Sequence, residues 1–167
     1  MSRNKLYVGK AGQYIAMSEF LIRGWNVAIP EVDVGDDIFV VKDETGAFVR
    51  VQVKTSNATD RRLSFGVQFK LSFSQLEQTF TPDLIYFFVI RYNSGWNKFI
   101  IIKRDELLTR VQQDNVGSRN KDSIQIYLSI NKTDNMVTCS SVNFTQYVND
   151  FQYFPIIDHS INKVSEN

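Results

Sequence analysis

A β-hairpin encoded by residues 35–55 is the feature that most constrains how this chain can fold. Its first strand is predicted to open at Asp37, and its second strand to run over residues 48–55. The segment Asp43-Glu44-Thr45-Gly46 separates two apolar runs and has the composition of a turn. The chain is therefore expected to build a β-sheet around this hairpin.

The second strand of the hairpin has one apolar face and one polar face. Side chains alternate across a strand, so the valines at positions 49, 51 and 53 point one way, and Arg50, Gln52 and Lys54 point the other way. The valine face is suited to burial in a core. Polar groups in the middle of such an apolar hairpin are costly unless they have partners, so the polar face is expected to contact other polar groups.

Pairing of the two strands brings chemically suited groups together. It sets the start of the first strand beside the end of the second, so we expect Asp37 to lie close to Gln52 and Lys54. A carboxylate and an amide oxygen suit Mg²⁺, which takes oxygen ligands and keeps several of its waters. A lysine can orient or deprotonate an attacking water and offset charge on a phosphate. The hairpin therefore predicts a metal-assisted hydrolytic site.

The order of these residues resembles the PD-(D/E)XK nuclease superfamily, which has the restriction-endonuclease-like fold. The likeness rests on Asp37 followed by Gln52-x-Lys54 on the next strand. It extends to the preceding helix, where the family often carries a glutamate and this chain has Glu19, and to the strand-turn-strand pattern of residues 83–103. Over about residues 8–110 the chain is similar to small stand-alone endonucleases and Holliday-junction resolvases.

The resemblance implies a role for each of these residues. Asp37 and Gln52 would hold Mg²⁺, or Mn²⁺ as a substitute, together with the backbone carbonyl of Val53 and, through water, Glu19. Lys54 would position the attacking water and steady the developing charge. The implied activity is a magnesium-dependent DNA endonuclease that hydrolyses phosphodiester bonds in duplex or branched DNA.

Three alternatives stay open. Either Asp36 or Asp37 can be the aspartate ligand, and Asp37 is preferred because it directly adjoins the apolar strand. Glu19 can instead pair with Arg23, four residues later on the same helix. Gln52 stands where the family usually has an acid, so a catalytically degenerate protein that binds DNA or protein is the second hypothesis.

Composition narrows the class of protein further. The chain has 167 residues, 43% hydrophobic and 13% aromatic residues, and a net charge of +1, which predicts one folded α/β domain without a general basic coat. One cysteine and one histidine nearly exclude zinc-finger and Cys-His nucleophilic sites. The sequence lacks an apolar run long enough to span a membrane and an apolar signal segment, so a cytoplasmic location is expected.

The remaining elements complete a predicted mixed sheet flanked by helices. A first helix is expected over residues 10–24, burying Ala11, Tyr14, Ile15, Ser18, Leu21 and Ile22. Further helices are expected over residues 72–80 and 104–113. Strands are expected over residues 25–29, 63–71, 84–90, 98–103 and 124–130, with a weaker one over 136–142 and an aromatic-rich helix or turn over 144–154.

Contacts with DNA and with other subunits are predicted at three places. Arg61 and Arg62 follow the hairpin in a polar loop, and Lys70 lies on the polar face of the next strand, so all three are candidate phosphate contacts. Residues 111–167 are interpreted as an extension of the nuclease-like domain that completes the sheet, contacts DNA or mediates assembly. Cutting two DNA strands generally needs two sites, so a homodimer or a tetramer is expected.

Overall fold

The computed structural model describes residues 3–32, 35–43 and 46–154, so Glu44 and Thr45 of the predicted turn lie outside the described residues. In chain order the elements are α1 (Arg3–Leu21), β1 (Asn26–Ala28), β2 (Ile38–Lys42), β3 (Ala47–Asn57), β4 (Thr59–Asp60), β5 (Ser64–Ser72), α2 (Phe73–Glu77), β6 (Leu84–Tyr92), β7 (Gly95–Lys103), α3 (Arg104–Gln113), β8 (Ser118–Asn120), β9 (Ser123–Asn131), β10 (Val137–Cys139), β11 (Val142–Asn143) and a 3₁₀ turn (Thr145–Tyr147).

A mixed sheet of five strands forms the middle of the molecule, in the order β1-β2-β3-β6-β7. Strands β3 and β6 are parallel, and the chain between them passes through β4, β5 and α2, as a parallel pair requires a long crossover. Strand β6 is buried on both faces: Phe87 packs in the core beneath α1, and Phe88 packs in the core on the opposite side. The predicted α/β class with a mixed sheet and flanking helices is confirmed.

A second, antiparallel sheet covers the other face of the first sheet. Its strands follow the order β11-β10-β9-β5-β4, and β8 pairs with β9. The inward side chains of β5 and β9 form one core with β6 and β7; they are Val67, Phe69, Leu71, Ile124, Ile126, Leu128 and Ile130. The molecule is thus layered as α1, the first sheet and the second sheet, with α2 and α3 closing one side of the core between the sheets.

Helix α1 differs from its prediction at both ends. It begins at Arg3 and ends at Leu21, whereas residues 10–24 were expected. The end comes early because the N–H groups of Arg23 and Gly24 bond to carbonyls three residues back, which tightens the last turn. Gly24 then takes a φ of +82°, a conformation that ends helices and favours glycine.

The buried face of α1 also differs from the predicted one. Tyr14, Leu21 and Ile22 are 56%, 53% and 73% exposed, and the face that docks carries Gln13, Ala16 and Phe20 instead. Gly12 explains the choice, because a Cβ at this position would overlap the side chain of Thr55 on β3. The helix therefore approaches the sheet along its small residues rather than along the predicted apolar stripe. Within the described residues, no helix has the length and apolar character that a membrane crossing requires.

The other elements lie near their predicted positions. Helix α3 has the predicted bounds, and β5, β6 and β9 agree with theirs to within two residues. Helix α2 is shorter than expected, and the weak strand over 136–142 divides into β10 and β11. The aromatic-rich segment forms only the 3₁₀ turn before Phe154, which is fully buried against Phe20 and Trp25 with ring centroids 4.6 and 6.0 Å away.

Candidate active site

Asp37 lies one residue before the start of β2, beside the part of β3 that continues past the β2–β3 pairing. Its backbone N–H donates to the carbonyl of Val51 at 3.0 Å, which extends the antiparallel register by one bond. Its Oδ2 accepts the backbone N–H of Val53 at 2.7 Å and the side-chain amide of Gln52. The predicted proximity of Asp37 and Gln52 is thus present, because the carboxylate satisfies β3 donors that have no further β2 residue opposite them.

Gln52 is 5% exposed and hydrogen-bonded at both ends of its amide. Its Nε2 donates to Asp37, and its Oε1 accepts from Nε2 of Gln75 on α2 at 3.0 Å. The same Gln75 nitrogen donates to the carbonyl of Gly35 at 2.6 Å. Gly35 has a φ of +105°, and a Cβ there would overlap the Gln75 amide. Glycine is therefore required for this close approach.

Helix α2 holds Gln75 in place although it has only five residues. Ser72 caps the helix by accepting the Gln75 N–H at 3.3 Å, and Asp122 Oδ1 accepts the Ser74 N–H at 2.9 Å. At the other end, Nη1 of the buried Arg104 donates to the carbonyl of Leu76 at 2.9 Å. These bonds satisfy helix ends that would otherwise lack partners, so the amide of Gln75 is presented to Gln52 from a fixed position.

Gln13 is a site residue that the sequence analysis missed. It is 8% exposed, its Nε2 donates to the backbone carbonyl of Asp37 at 2.6 Å, and its Oε1 accepts from Lys10 Nζ at 2.7 Å. Its position three residues before Ala16 and seven before Phe20 puts it on the docked face of α1. The signal in the sequence was the small residue Gly12 beside it, which marks the side of the helix that can approach a strand.

Glu19 lies elsewhere on α1. Its Oε2 pairs with Arg23 Nη1 at 2.7 Å, which is the alternative that the sequence left open. Six residues separate Glu19 from Gln13, a rise of about 9 Å along the helix axis. The α1 side chain that contacts Asp37 is therefore Gln13, whereas Glu19 pairs with Arg23.

Asp36 and Asp37 have different partners. The Asp36 side chain is fully buried, and its Oδ2 accepts from Nε and Nη2 of Arg50 at 3.0 and 2.7 Å. The Arg50 guanidinium also lies 5.1 Å from the ring centre of Phe80. This arrangement makes Asp36 part of a structural ion pair, while Asp37 faces Gln52.

Lys54 and Tyr86 adjoin this arrangement on the first sheet. Lys54 is half-buried and follows Gln52 by two residues, on the same face of β3. Tyr86 lies opposite Gln52 in the parallel β3–β6 register. Burial raises the pKa of the Tyr86 hydroxyl well above its ordinary value, and the nearby Arg104 lowers it only in part. The Tyr86 hydroxyl therefore stays protonated at physiological pH.

The oxygen atoms of Asp37 and Gln52 form a donor set that fits Mg²⁺, since this ion takes one or two protein oxygens and retains several waters. Binding requires the Gln52 amide to turn, because its nitrogen now faces Asp37. No cluster of three or more His, Cys, Asp or Glu side chains suited to a metal occurs among the described residues. The fit thus depends on one carboxylate and on amide or carbonyl oxygens.

The predicted DNA contacts lie on the second sheet and its adjoining turn. Arg61 and Arg62 are exposed between β4 and β5, and the Arg61 guanidinium lies 5.3 Å from the ring centre of Tyr127 on β9. Lys70 is exposed on the outer side of β5. All three side chains are therefore exposed and can contact a partner molecule.

Comparison with known proteins gives one informative result. No protein-family model and no curated protein matches the chain. Among solved structures, the chain is similar to a bacterial homing endonuclease, I-Ssp6803I, with 18% sequence identity, a TM-score of 0.53 and 87% of each chain covered. At this identity the similarity shows the fold alone. The chain therefore has a nuclease-like fold, and membership of the PD-(D/E)XK superfamily stays a prediction.

Proposed function

We propose that this protein is a magnesium-dependent DNA endonuclease that hydrolyses phosphodiester bonds in duplex or branched DNA. The observation that carries the proposal is the contact between Asp37 and Gln52, with Lys54 two residues further on the same strand face. The fold supports it, because one solved structure of similar fold is that of a homing endonuclease. Binding to DNA and cleavage of DNA both follow from this assignment.

Asp37 and Gln52 would hold the ion through a carboxylate oxygen and an amide oxygen, with the carbonyl of Val53 as a third protein ligand and Mn²⁺ as a substitute ion. When bound, the ion supplies Lewis acidity and a more acidic water. Glu19 is left out of the proposed site, because it is paired with Arg23 almost two helical turns from Gln13.

Lys54 would act on the attacking water and on the phosphate. Its ammonium group can orient the water and offset negative charge that develops on the phosphate oxygens. Gln13 would act as a positioning residue, because its bond to the Asp37 carbonyl ties the strand entry to α1. Gln75 would position Gln52 in the same way from the opposite side.

A binding protein without catalytic activity is the second candidate function. Two carboxamides, those of Gln13 and Gln52, contact the one aspartate of the site, and the Gln52 amide already satisfies Asp37 without an ion. A neutral oxygen ligand attracts a divalent cation less strongly than a carboxylate. Such a site would keep the fold and the DNA-binding surface while losing hydrolysis.

Cleavage assays with Mg²⁺ distinguish the two candidates. We expect the parent protein to nick or linearise supercoiled, linear or branched DNA, and Lys54→Ala to reduce the rate by roughly 100-fold or more. Lys42→Ala, at the far end of the same hairpin, is the matched control and should cleave like the parent. Equal cleavage by Lys54→Ala and the parent would remove Lys54 from the site. Cleavage by none of the three proteins, on any of these substrates, would favour the binding protein.

The proposal includes assembly of several copies of this chain, because cleavage of both strands of a duplex generally requires two active sites. We expect a homodimer or a tetramer with closed symmetry. Light scattering of the purified protein, alone and with duplex DNA, would give the mass directly. A monomer in both samples would restrict the activity to nicking.

A further inference from the structure

The outer face of strands β5 and β9 is a continuous polar surface. The two strands pair in antiparallel register over nine positions, from Ser64 opposite Asn131 to Ser72 opposite Ser123. Their inward side chains fill the core, and alternation places the others outward. We call this surface the ribbon face and define it by its outward residues Gln68, Lys70, Gln125, Tyr127, Ser129 and Asn131.

The ribbon face has no acidic side chain. Neither β5 nor β9 contains Asp or Glu, although these residues make up 18 of the 167 in the chain. The acids nearest in sequence are Asp122, Asp134 and Asp60, and each has a partner. Asp60 pairs with Lys132 at 2.5 Å, Asp122 accepts the N–H of Ser74 at 2.9 Å, and Asp134 accepts the N–H of Met136 at 2.9 Å. With Lys70 on it and Arg61 at its edge, the surface is complementary to a polyanion.

Several side chains of the ribbon face are held in place by contacts with one another. Gln68 Nε2 donates to Gln125 Oε1 at 2.5 Å across the two strands. Tyr127 and Arg61 lie over Gly66, where a Cβ would overlap the tyrosine hydroxyl and approach Arg61 Nε to 3.1 Å. Glycine at this position lets an aromatic ring and a guanidinium lie against the strand. Carboxamide, hydroxyl and guanidinium groups are the ones that hydrogen-bond base edges.

Strand β5 of the ribbon is connected at both of its ends to elements of the candidate active site. Strand β3, which carries Gln52 and Lys54, leads through the two residues of β4 into β5. Strand β5 then leads directly into α2, whose Gln75 bonds to Gln52. A partner bound on the ribbon face is therefore held by the same continuous segment that builds the site.

We propose that the ribbon face enters the major groove of duplex DNA and selects the sequence that the protein binds. That groove is about 12 Å wide and admits a two-stranded β-ribbon, and over residues 67–72 of β5 the described strands place only β9 beside it, so this edge of the sheet is the part that enters. Gln68 and Gln125 contact base edges, while Lys70 and Arg61 contact phosphates. This inference rests on the proposed function for the choice of DNA as partner, and it adds the surface that gives specificity.

Selection from a random-sequence duplex pool tests the inference without cleavage, in a buffer with EDTA. The parent is expected to enrich a common motif. The double variant Gln68→Ala, Gln125→Ala should bind the enriched duplex roughly 5- to 100-fold more weakly and lose the preference at some of its base pairs. Gln112→Ala, Gln113→Ala in the exposed end of α3 is the matched control and should select the parental motif.

Lys70→Ala provides an independent measurement. It should weaken binding to all duplexes by a similar factor and reduce the salt dependence of binding by about one released ion. A sequence-dependent loss in this variant would contradict the assignment of Lys70 to phosphate. Thermal unfolding of each variant verifies that the fold is retained.

The possible failures point to different conclusions. If the Gln68, Gln125 variant selects the parental motif with parental affinity, the ribbon face does not select sequence, while DNA binding and the proposed function stand. If the parent binds neither duplex nor branched DNA even at low salt, the proposed function itself fails. Binding to branched DNA alone would overturn the inference and leave the proposed function standing. If the variant changes the mass of the protein in solution, the face is an interface between copies of the chain, which also overturns the inference.

Discussion

Gln52 donates its side-chain amide to the same oxygen of Asp37 that accepts the backbone N–H of Val53. The carboxylate is therefore satisfied by two donors from β3, and the oxygen of the Gln52 amide is turned away from it, toward Gln75. An ion at this site requires the reverse orientation of the amide. The balance between these two orientations is the physical question on which the first three predictions depend.

Replacing each of the two neighbouring aspartates in turn should distinguish the one that binds the metal ion from the one that stabilises the fold. Mg²⁺ at 100 times its dissociation constant should stabilise the parent by about 2.7 kcal/mol, and Asp37→Asn should lose this effect because it removes the charged ligand. Asp36→Asn should keep it, but lose about 3 kcal/mol of unfolding free energy because Arg50 is left unpaired. Thermal unfolding with and without Mg²⁺ measures both. A metal effect that survives in Asp37→Asn and disappears in Asp36→Asn would reverse the assignment.

Gln52→Glu should increase the affinity for Mg²⁺. A second carboxylate beside Asp37 binds the ion more strongly than an amide oxygen, while repulsion between the two acids destabilises the ion-free protein. The melting temperature should therefore be lower than that of the parent without Mg²⁺ and should rise more when Mg²⁺ is added. Titration of the melting temperature against Mg²⁺ concentration tests this. The same response in both proteins would mean that Gln52 is not a ligand.

Gln75→Glu should favour the orientation of Gln52 that binds an ion. A carboxylate at position 75 only accepts hydrogen bonds, so the Gln52 nitrogen should turn toward it and the Gln52 oxygen toward Asp37. We expect tighter Mg²⁺ binding and, in the ion-free protein, changed NMR shifts of the Gln52 side-chain amide. Gln78→Glu, exposed and one turn further along, adds the same charge without this contact. If Gln75→Glu and Gln78→Glu increase the affinity for Mg²⁺ equally, the added negative charge explains the increase and the orientation of Gln52 does not.

Alkaline pH should destabilise the protein partly through Tyr92. Burial raises the pKa of its hydroxyl from 10.0 to about 12, so the folded state favours the protonated form. This contribution to stability is complete below pH 10 and is lost as the pH rises from 10 toward 12. Tyr92→Phe keeps the ring, which packs edge-on against Phe65 at 5.0 Å, and removes the titration.

Chemical denaturation at pH 8 and pH 11 measures this difference. At pH 8 the Tyr92→Phe variant should lie within about 1 kcal/mol of the parent, because the hydroxyl has no hydrogen-bond partner among the described residues. At pH 11 the variant should be the more stable of the two proteins. If the parent and the Tyr92→Phe variant lose equal stability between pH 8 and pH 11, ionisation of Tyr92 is not the cause of the loss.

Phe154→Ala should destabilise the protein by about 3–5 kcal/mol, although the residue lies far outside the segment that resembles a nuclease core. Its ring is fully buried against Phe20 and Trp25, so truncation leaves a cavity beneath α1. Phe48→Ala, at a ring that is 45% exposed, should cost less than about 1 kcal/mol. Urea denaturation of both variants is the measurement. Similar stabilities would show that the end of the described chain is dispensable.

The hairpin and the longer strands could be predicted because their causes are local. Alternating side chains and turn residues act over a few positions, and the register of one hairpin brings Asp37 and Gln52 together. The buried face of α1 could not be predicted in this way. Its hydrophobic periodicity favoured Tyr14 and Leu21, whereas the close approach of Gly12 to β3 turned Gln13 and Phe20 inward.

The sequence by itself determined the hairpin, the α/β class and the one aspartate–glutamine contact that lies within a single pair of strands. Only the tertiary structure decided which other side chains join that contact. Gln13 reaches Asp37 across 24 positions, and Gln75 reaches Gln52 across 23, through the docking of α1 and the capping of α2. The physical reason is that such contacts depend on how separate elements pack, and packing depends on the fit of side-chain volumes that periodicity in the sequence does not describe.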